Sequence, residues 1–192
     1  MDYFIELKNT CSSGDLEQAK LLLHNQPSID ICAGNDFPFR YACEYGHLEV
    51  AKWLVDSYSS TINISALDNY SFRYACANGH LEVAKWLVES YPSTVKISAQ
   101  QNHAFRSACS NGHLEIAKWL VEIQPSIKIF TYNMSAFRFA CQNGHLEAAK
   151  WLVQIMPFLN ISASNSYAFR CACTHGYLEL AKWLVQIRPI TI

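Results

Sequence analysis

Apolar residues recur along this chain at helical spacing, in stripes that come in pairs. Phe39, Ala42 and Cys43 stand at i, i+3 and i+4, which places them on one face of a helix. A second apolar stripe with helical spacing lies within residues 48–55. Gly46 separates the two stripes, and glycine readily adopts the left-handed conformation that ends a helix. The pattern therefore predicts a first helix, a turn and a second helix.

This helical pair repeats through the whole sequence. Residues 43–54 read CEYGHLEVAKWL, and close copies begin at residues 76, 109, 141 and 173. Six glycines fall at spacings of 32 or 33 residues, namely Gly14, Gly46, Gly79, Gly112, Gly144 and Gly176. Self-similarity at this period is typical of a stacked solenoid. We expect a single domain over residues 1–192, with six repeats at about 1–35, 36–68, 69–101, 102–133, 134–165 and 166–192.

The segment after each second helix predicts a short connector. Proline, which cannot continue a helix, follows it in five repeats, as Pro27, Pro92, Pro125, Pro157 and Pro189. An apolar-polar-apolar alternation then suits two extended residues that point inward, at 62–64, 95–97, 127–129 and 159–161. The predicted fold is all-α, a solenoid of six helix-turn-helix units with short extended or hairpin connectors. Neighbouring repeats must stack, because neither helix can bury its apolar face alone.

The repeated words resemble a known family. Residues 42–50 read ACEYGHLEV and resemble the signature of ankyrin repeats, and five repeats match it closely. The wording AFRxACxNGHLExAKWL further resembles the expanded ankyrin arrays of large DNA viruses that infect amoebae. Two departures stand out: arginine replaces the family's histidine in forms such as Ser71-Phe72-Arg73, and the hairpin-tip glycine is missing. We therefore expect short or irregular hairpins.

Positions that differ between otherwise matching repeats are candidates for partner binding. They lie along the first helix, opposite the core stripe, and include Ala77. The resemblance implies that this stripe lines a concave surface together with the hairpin tips Phe37, Tyr70, His103, Met134 and Tyr167. The candidate protein-binding residues are Tyr41, Glu44, Tyr45, Tyr70, Tyr74, Asn78, Ser107, Asn111, Phe139 and Asn143. Alternatively, the rings of Tyr41, Tyr74 and Phe139 simply fill the groove between first helices. We favour the N-terminal repeats as the binding region, because they carry more aromatic residues.

Positions that do not change belong to the frame of the repeat. Arginine recurs as Arg40, Arg73, Arg106, Arg138 and Arg170, which raises polyanion binding as one hypothesis. The alternative, which we favour, is that each arginine binds connector carbonyls between repeats. The chain has 15 basic and 16 acidic residues, so its net charge near zero does not favour a nucleic-acid partner.

Other invariant residues are also interpreted as structural. We expect the tryptophans to pack against neighbouring second helices, and we interpret the four histidines that follow a repeated glycine as structural, namely His47, His80, His113 and His145. Six cysteines share one slot and are interpreted as small buried hydrophobes, namely Cys11, Cys43, Cys76, Cys109, Cys141 and Cys173.

Several function classes have no support in the sequence. No phosphate-cradling loop, nucleophile elbow or HExxH motif is present, so we expect neither an enzyme nor a cofactor. Cys171 and Cys173 form the only close cysteine pair, and at i, i+2 they point to different helix faces, so no metal is expected. The start MDYFIELKNT is unlike a signal peptide, and no apolar stretch is long enough to span a membrane. We expect a cytoplasmic protein, in the host cytoplasm if the viral resemblance holds.

Two functions remain open at this stage. The first is a non-catalytic scaffold that binds a partner protein, such as a host factor, through the concave face. The second is an assembly component that self-associates through its C-terminal repeat, because no evident polar cap follows Trp183 there. The first repeat, in contrast, has the polar residues Lys8, Asn9 and Thr10 where later repeats have arginine, a variable residue and alanine.

Overall fold

The chain is a succession of paired helices. The structure is a computed structural model that describes residues 3–125, 127, 133–156 and 161–187, without the side chains of 133–134 and 161–166. The helices are α1 (Tyr3–Ser13), α2 (Leu16–Asn25), α3 (Ala33–Glu44), α4 (Leu48–Tyr58), α5 (Ala66–Ala77), α6 (Leu81–Ser90), α7 (Ala99–Ser110), α8 (Leu114–Ile123), α9 (Asn133–Gln142), α10 (Leu146–Ile155), α11 (Ile161–Thr174) and α12 (Leu178–Gln186). No strand occurs within these described residues. The predicted all-α class is confirmed.

The helix ends follow the predicted signals. Gly46 has a φ of 83°, in the left-handed region, and ends the first helix of its repeat. The helices α2, α6, α8 and α10 each end two residues before a proline. A glutamate and a lysine three residues apart form an ion pair on the second helix of each repeat, as between Glu49 and Lys52 at 3.2 Å. Such exposed pairs stabilise a helix by only about 0.3–0.5 kcal/mol each.

Contacts between Cα atoms divide the chain into an N-terminal half, Met1–Gln100, and a C-terminal half, Gln101–Ile192. In the N-terminal half, α1 packs on α3 and α3 on α5, while α2, α4 and α6 each pack on the first helix of their own repeat. In the C-terminal half, α9 packs on α11, and α10 and α12 pack on α9 and α11 respectively. A single domain over residues 1–192 stays a prediction.

The core of each half is built from the same positions of successive repeats. Phe39, Phe72, Phe105 and Phe137 are almost completely buried at equivalent positions. Each such ring contributes about 1.5–3 kcal/mol by leaving water. The slot of the repeated cysteine is buried in five repeats, but Cys173 is exposed, so the prediction for this residue was wrong. In the second repeat this slot is covered by the third repeat, where Ser71 hydrogen bonds to the thiol of Cys43.

The three connectors before α3, α5 and α7 are turns instead of extended hairpins. Three successive residues have φ between 50° and 64° before the right-handed part of α3, α5 and α7, namely Gly34–Asp36, Leu67–Asn69 and Gln100–Asn102. The third side chain of each turn is buried. Asn69 Oδ1 accepts a hydrogen bond from the backbone N–H of Lys96 in the next connector, at 3.1 Å. The turn at Leu67–Asn69 is therefore joined to the next connector through a buried polar side chain.

The alternating residues of the connectors are only partly as expected. Ile62 and Val95 are buried, whereas Ile64 and Ile97 are half-buried. Ile127 is buried. The rest of the predicted segment 127–129, and residues 159–160 of the segment 159–161, lie outside the described residues.

Arginine holds each of the first two left-handed turns together. Arg40 is 4% exposed and donates from Nε to the carbonyl of Asn35 at 2.6 Å and from Nη2 to that of Gly34 at 2.8 Å. Arg73 repeats both bonds, at 2.9 Å each, to the carbonyls of Asp68 and Leu67. For these two residues the interpretation as connector-binding arginines is confirmed. Arg138 and Arg170 are exposed, so the ladder is not uniform.

A turn glycine of one repeat contacts an aromatic ring of the following repeat, and this contact joins the two repeats. A Cβ atom on Gly46 would overlap the imidazole of His80, and one on Gly14 would overlap that of His47. In the C-terminal half, Gly112 lies in the same way against His145, and Gly144 against Tyr177.

The packing of tryptophans against neighbouring second helices stays a prediction, and three tryptophans make ring contacts elsewhere. Trp53 and Trp86 meet Tyr58 and Tyr91 of their own repeats edge to face, with ring centroids 6.3 and 5.8 Å apart. Trp151 lies 6.2 Å from Phe105, which belongs to the first helix of the preceding repeat. These ring contacts are not with a neighbouring second helix.

Candidate protein-binding surface

Aromatic rings form a layer over the first helices of the N-terminal half. Phe37 and Tyr41 are one helical turn apart on α3 and stack with centroids 4.4 Å apart. Tyr45, one turn further, lies 5.8 Å from Tyr41. Tyr70 and Tyr74 on α5 stack in the same way at 4.0 Å. Residues four apart on a helix lie on the same face, which brings these rings together. Phe37 was not among the candidate binding residues, and its position four residues before Tyr41 is the feature of the sequence that could have identified it as part of this layer.

Cations lie between the rings. The guanidinium of Arg40 is 4.9 Å from the Phe37 centroid and 4.5 Å from that of Tyr70, so it bridges α3 and α5. In the first repeat Lys8 takes the equivalent slot, and its Nζ lies 5.4 Å from the centroid of Tyr41. A cation over an aromatic face stabilises the pair by about 0.5–1 kcal/mol at exposed sites and more when desolvated. This contact of Lys8 was not predicted from the sequence, where the residue was assigned only to a polar cap.

Glu44 is tied to the next repeat. Its Oε2 accepts a hydrogen bond from the Tyr70 hydroxyl at 2.8 Å, and its backbone carbonyl accepts one from Nδ2 of Asn78 at 2.9 Å. Burial, and then the carboxylate of Glu44, raise the pKa of Tyr70, so the phenol stays protonated and donates. Glu44, Tyr70 and Asn78 were candidates for partner binding; the structure gives them contacts within the array.

The residues that present surface are fewer. Tyr45 is 49% exposed, and Asn78 is also exposed. Tyr41 and Tyr74 are half-buried in the stacked layer, so the groove-filling alternative describes part of each ring. Ala77, in the variable set, is only 5% exposed and does not belong to the surface, because it lies on the buried side of α5.

The C-terminal half presents a more polar surface. Phe139 is 45% exposed, and Asn111 and Asn143 are also exposed. Nδ2 of Asn143 donates to the backbone carbonyl of Ser110 at 2.8 Å and lies 3.1 Å from its hydroxyl. Ser107 is half-buried, with its hydroxyl 3.5 Å from Nδ1 of His103.

A cleft of about 270 Å³ opens in this half. It is lined by His103, Arg106, Ser107, Ser110 and Phe139. Farther along the half, the Arg138 guanidinium lies 4.3 Å from the ring of Tyr167, whose hydroxyl donates to Gln142 at 3.2 Å. The side chain of Met134, one of the expected tips, lies outside the described residues.

Two other properties bear on what the surface can do. Among the side chains that the structure describes, no group of three or more His, Cys, Asp or Glu residues is placed to hold a metal ion. Within the described ranges, no helix combines the length and apolar character needed to cross a membrane.

Two family models match the repeats of this chain. A model described as ankyrin repeats (many copies) matches residues 7–55, 39–88 and 72–121. A second, described as ankyrin repeats (3 copies), matches residues 105–191. No curated protein matches the chain.

Proposed function

The chain belongs to the ankyrin-repeat family, and we propose that it is a non-catalytic scaffold that binds a partner protein along its first helices. Ankyrin repeats generally mediate protein–protein interaction. The proposed surface comprises the variable first-helix residues that remain accessible, with Tyr45 at its centre and Tyr41 and Tyr74 beside it.

The observation that carries the proposal is the half-exposed ring of Tyr45 at the edge of the stacked layer. Large exposed aromatic residues provide rigid apolar contact area, and such residues dominate the energetics of many interfaces. The tilted contact of Tyr45 with Tyr41 restricts its ring on one side, which reduces the side-chain entropy that would be lost on binding. The partner we propose is an intracellular protein, and a host protein if the resemblance to viral arrays holds.

The test compares one triple variant of the full chain with one control variant. Tyr41→Ala, Tyr45→Ala and Tyr74→Ala are combined in one variant. Leu21→Ala is the control, because Leu21 is 52% exposed but lies on the second helix α2. Affinity capture with crosslinking from the native cell should lose the partner in the triple variant and retain it in the control, with circular dichroism showing an unchanged helical content. Retention of every partner by the folded triple variant contradicts the proposal.

A second candidate function is self-association through the sixth repeat. Leu178 is 63% exposed and Val185 is 55% exposed on α12, whereas the equivalent Val55 on α4 is buried. These two exposed apolar side chains on one helix could be buried in an interface between copies of the chain. Sedimentation velocity over a range of concentrations would show a dimer that Leu178→Glu abolishes; a monomer at every concentration excludes this function.

A further inference from the structure

One slot of the first helix holds a tyrosine in two repeats and a serine in the fourth. The slot directly follows the repeated arginine, and its residues in repeats two, three and four are Tyr41, Tyr74 and Ser107. The slot three residues later holds Glu44, Ala77 and Ser110. The fourth repeat therefore has small hydroxyl side chains at both positions, and this is where the 270 Å³ cleft lies.

The second and third repeats show what the slot accommodates. Tyr41 stacks on Phe37, and Tyr74 stacks on Tyr70, in each case on the aromatic residue four positions earlier. The guanidinium of Arg73 lies 5.6 Å from the ring centroid of Tyr74. In these two repeats the frame therefore holds a phenol ring against a planar neighbour, and in the third it also places a cation nearby.

The fourth repeat keeps the surroundings of that ring without the ring itself. His103 stands where Phe37 and Tyr70 stand, and Arg106 is the repeated arginine; both line the cleft. Phe139 adds an aromatic wall from the next repeat, and it is 45% exposed. Ser110, with the amide of Asn143 bonded to it, places hydrogen-bonding groups at the same cleft. Among the described residues lining the cleft none is a carboxylate, so the serine hydroxyls take the place of the acceptor that Glu44 provides for Tyr70.

We propose that this cleft binds a tyrosine side chain of the partner protein, in the place that the chain's own Tyr41 and Tyr74 occupy in the earlier repeats. The ring would stack between His103 and Phe139 near Arg106, and its hydroxyl would reach the serines. Such ring contacts each add modestly to binding, so the cleft supplies specificity for one aromatic anchor. The inference rests on the proposed function, since it names a feature of the partner.

A probe that needs no partner tests the site. The ¹H–¹⁵N spectrum of the full chain is titrated separately with N-acetyl-L-tyrosinamide, N-acetyl-L-leucinamide and N-acetyl-L-glutamic acid amide. We expect saturable shifts confined to the residues around Ser107, Ser110 and Phe139, with the tyrosine probe binding about fivefold or more tightly than the leucine probe. Tighter binding of the glutamate probe, equal binding of all three, or no localised shift would overturn the proposal.

Two variants at one residue complete the test. Ser107→Tyr fills the slot with the residue that the second and third repeats already carry, so it should fold and abolish the shifts. Ser107→Ala leaves the slot open and should retain binding within about twofold, since only one hydroxyl is lost. Binding that survives Ser107→Tyr contradicts the assigned place. Because no partner protein is used, a failure here is separable from a failure of the Tyr45 surface in cell capture.

Discussion

The imidazole of His47 covers the α-carbon of Gly14, one repeat earlier in the chain. Its Nε2 lies 2.8 Å from the backbone carbonyl oxygen of Ser12, and because a carbonyl only accepts, Nε2 carries the proton. One contact thus explains the repeated glycine and the histidine that follows it in four of the repeats. Glycine provides both the left-handed backbone and the space, and histidine fills that space and binds the preceding turn.

The first prediction concerns this contact. Gly46→Ala should destabilise the chain more than Gly176→Ala. Both substitutions force alanine into a left-handed conformation, which costs about 1–2 kcal/mol, but only at Gly46 would the Cβ meet a ring, that of His80. Nothing lies within 4 Å of a Cβ on Gly176, which has a φ of 76°. Urea denaturation of the two variants measures the difference; equal losses would mean that the histidine contact contributes nothing.

The second prediction separates buried from exposed members of the arginine ladder. Arg40→Gln should lower the free energy of unfolding by about 2–3 kcal/mol, because it removes the two charged hydrogen bonds that the buried guanidinium donates to the turn carbonyls of Gly34 and Asn35. Arg138→Gln is the matched control at an exposed slot, where the described contact is the one with Tyr167, worth about 1 kcal/mol or less. Thermal and urea unfolding give both values. Equal effects would show that the turn does not depend on its arginine.

The third prediction is a pH dependence that originates at His145. Burial, and then the charge of His113, lower the pKa of His145 below its ordinary value of 6.5. As the pH falls below 6.5, the unfolded chain therefore takes up the proton first, and the stabilising contribution of neutral His145 is progressively lost until the pH reaches the lower native pKa.

His145→Tyr isolates that contribution. Tyrosine is the residue that the sixth repeat carries at this slot, where Tyr177 covers Gly144, so the ring contact with Gly112 should persist. Unfolding free energies measured between pH 7.5 and 5.5 should fall less for the variant than for the natural chain. Identical slopes for the two proteins would assign the pH dependence to other groups.

The fourth prediction uses cysteine reactivity. Burial raises the pKa of Cys11 and of Cys141 to about 12, and it also raises the pKa of the fully buried Cys43. Since the thiolate is the nucleophile, alkylation of Cys11 at pH 8 should be roughly a thousandfold slower than that of a free thiol. The exposed Cys173 should react within the first minutes. Mass spectrometry of peptides after timed iodoacetamide treatment measures the alkylation rate of each cysteine, and the urea-unfolded chain is the control. Rapid labelling of Cys43 in the folded chain would contradict the packing of its slot.

The helical pairs, the turn glycines and the connector-binding arginines could all be predicted from the sequence. Each depends on local rules, namely apolar periodicity, left-handed glycine and a residue repeated in one slot. The left-handed turns could not be predicted, because Leu67, Asp68 and Asn69 include no glycine and such residues seldom have positive φ. Contacts from Arg73 and Lys96 hold this turn, and they depend on tertiary structure.

Part of the candidate surface was equally beyond the sequence. Variation between repeats marks positions outside the common frame, but it does not separate partner-binding residues from residues that join particular neighbours. Glu44 and Tyr70 vary and bind each other, whereas Tyr45 varies and is exposed. The open slot at Ser107 is recognised only by comparison with the second and third repeats, where the stacked rings of Tyr41 and Tyr74 fill the equivalent slot.

Site-specific photocrosslinking gives the decisive measurement for partner binding. p-Benzoylphenylalanine is introduced at position 45 in one chain and at position 56 in another, since Tyr45 is exposed at the end of α3 and Asp56 is exposed on the second helix α4. Irradiation in the native cell should give a discrete crosslinked protein from position 45 and none from position 56. Crosslinks from position 56 alone, or none from position 45 while the chain is folded, would contradict binding through the first-helix surface.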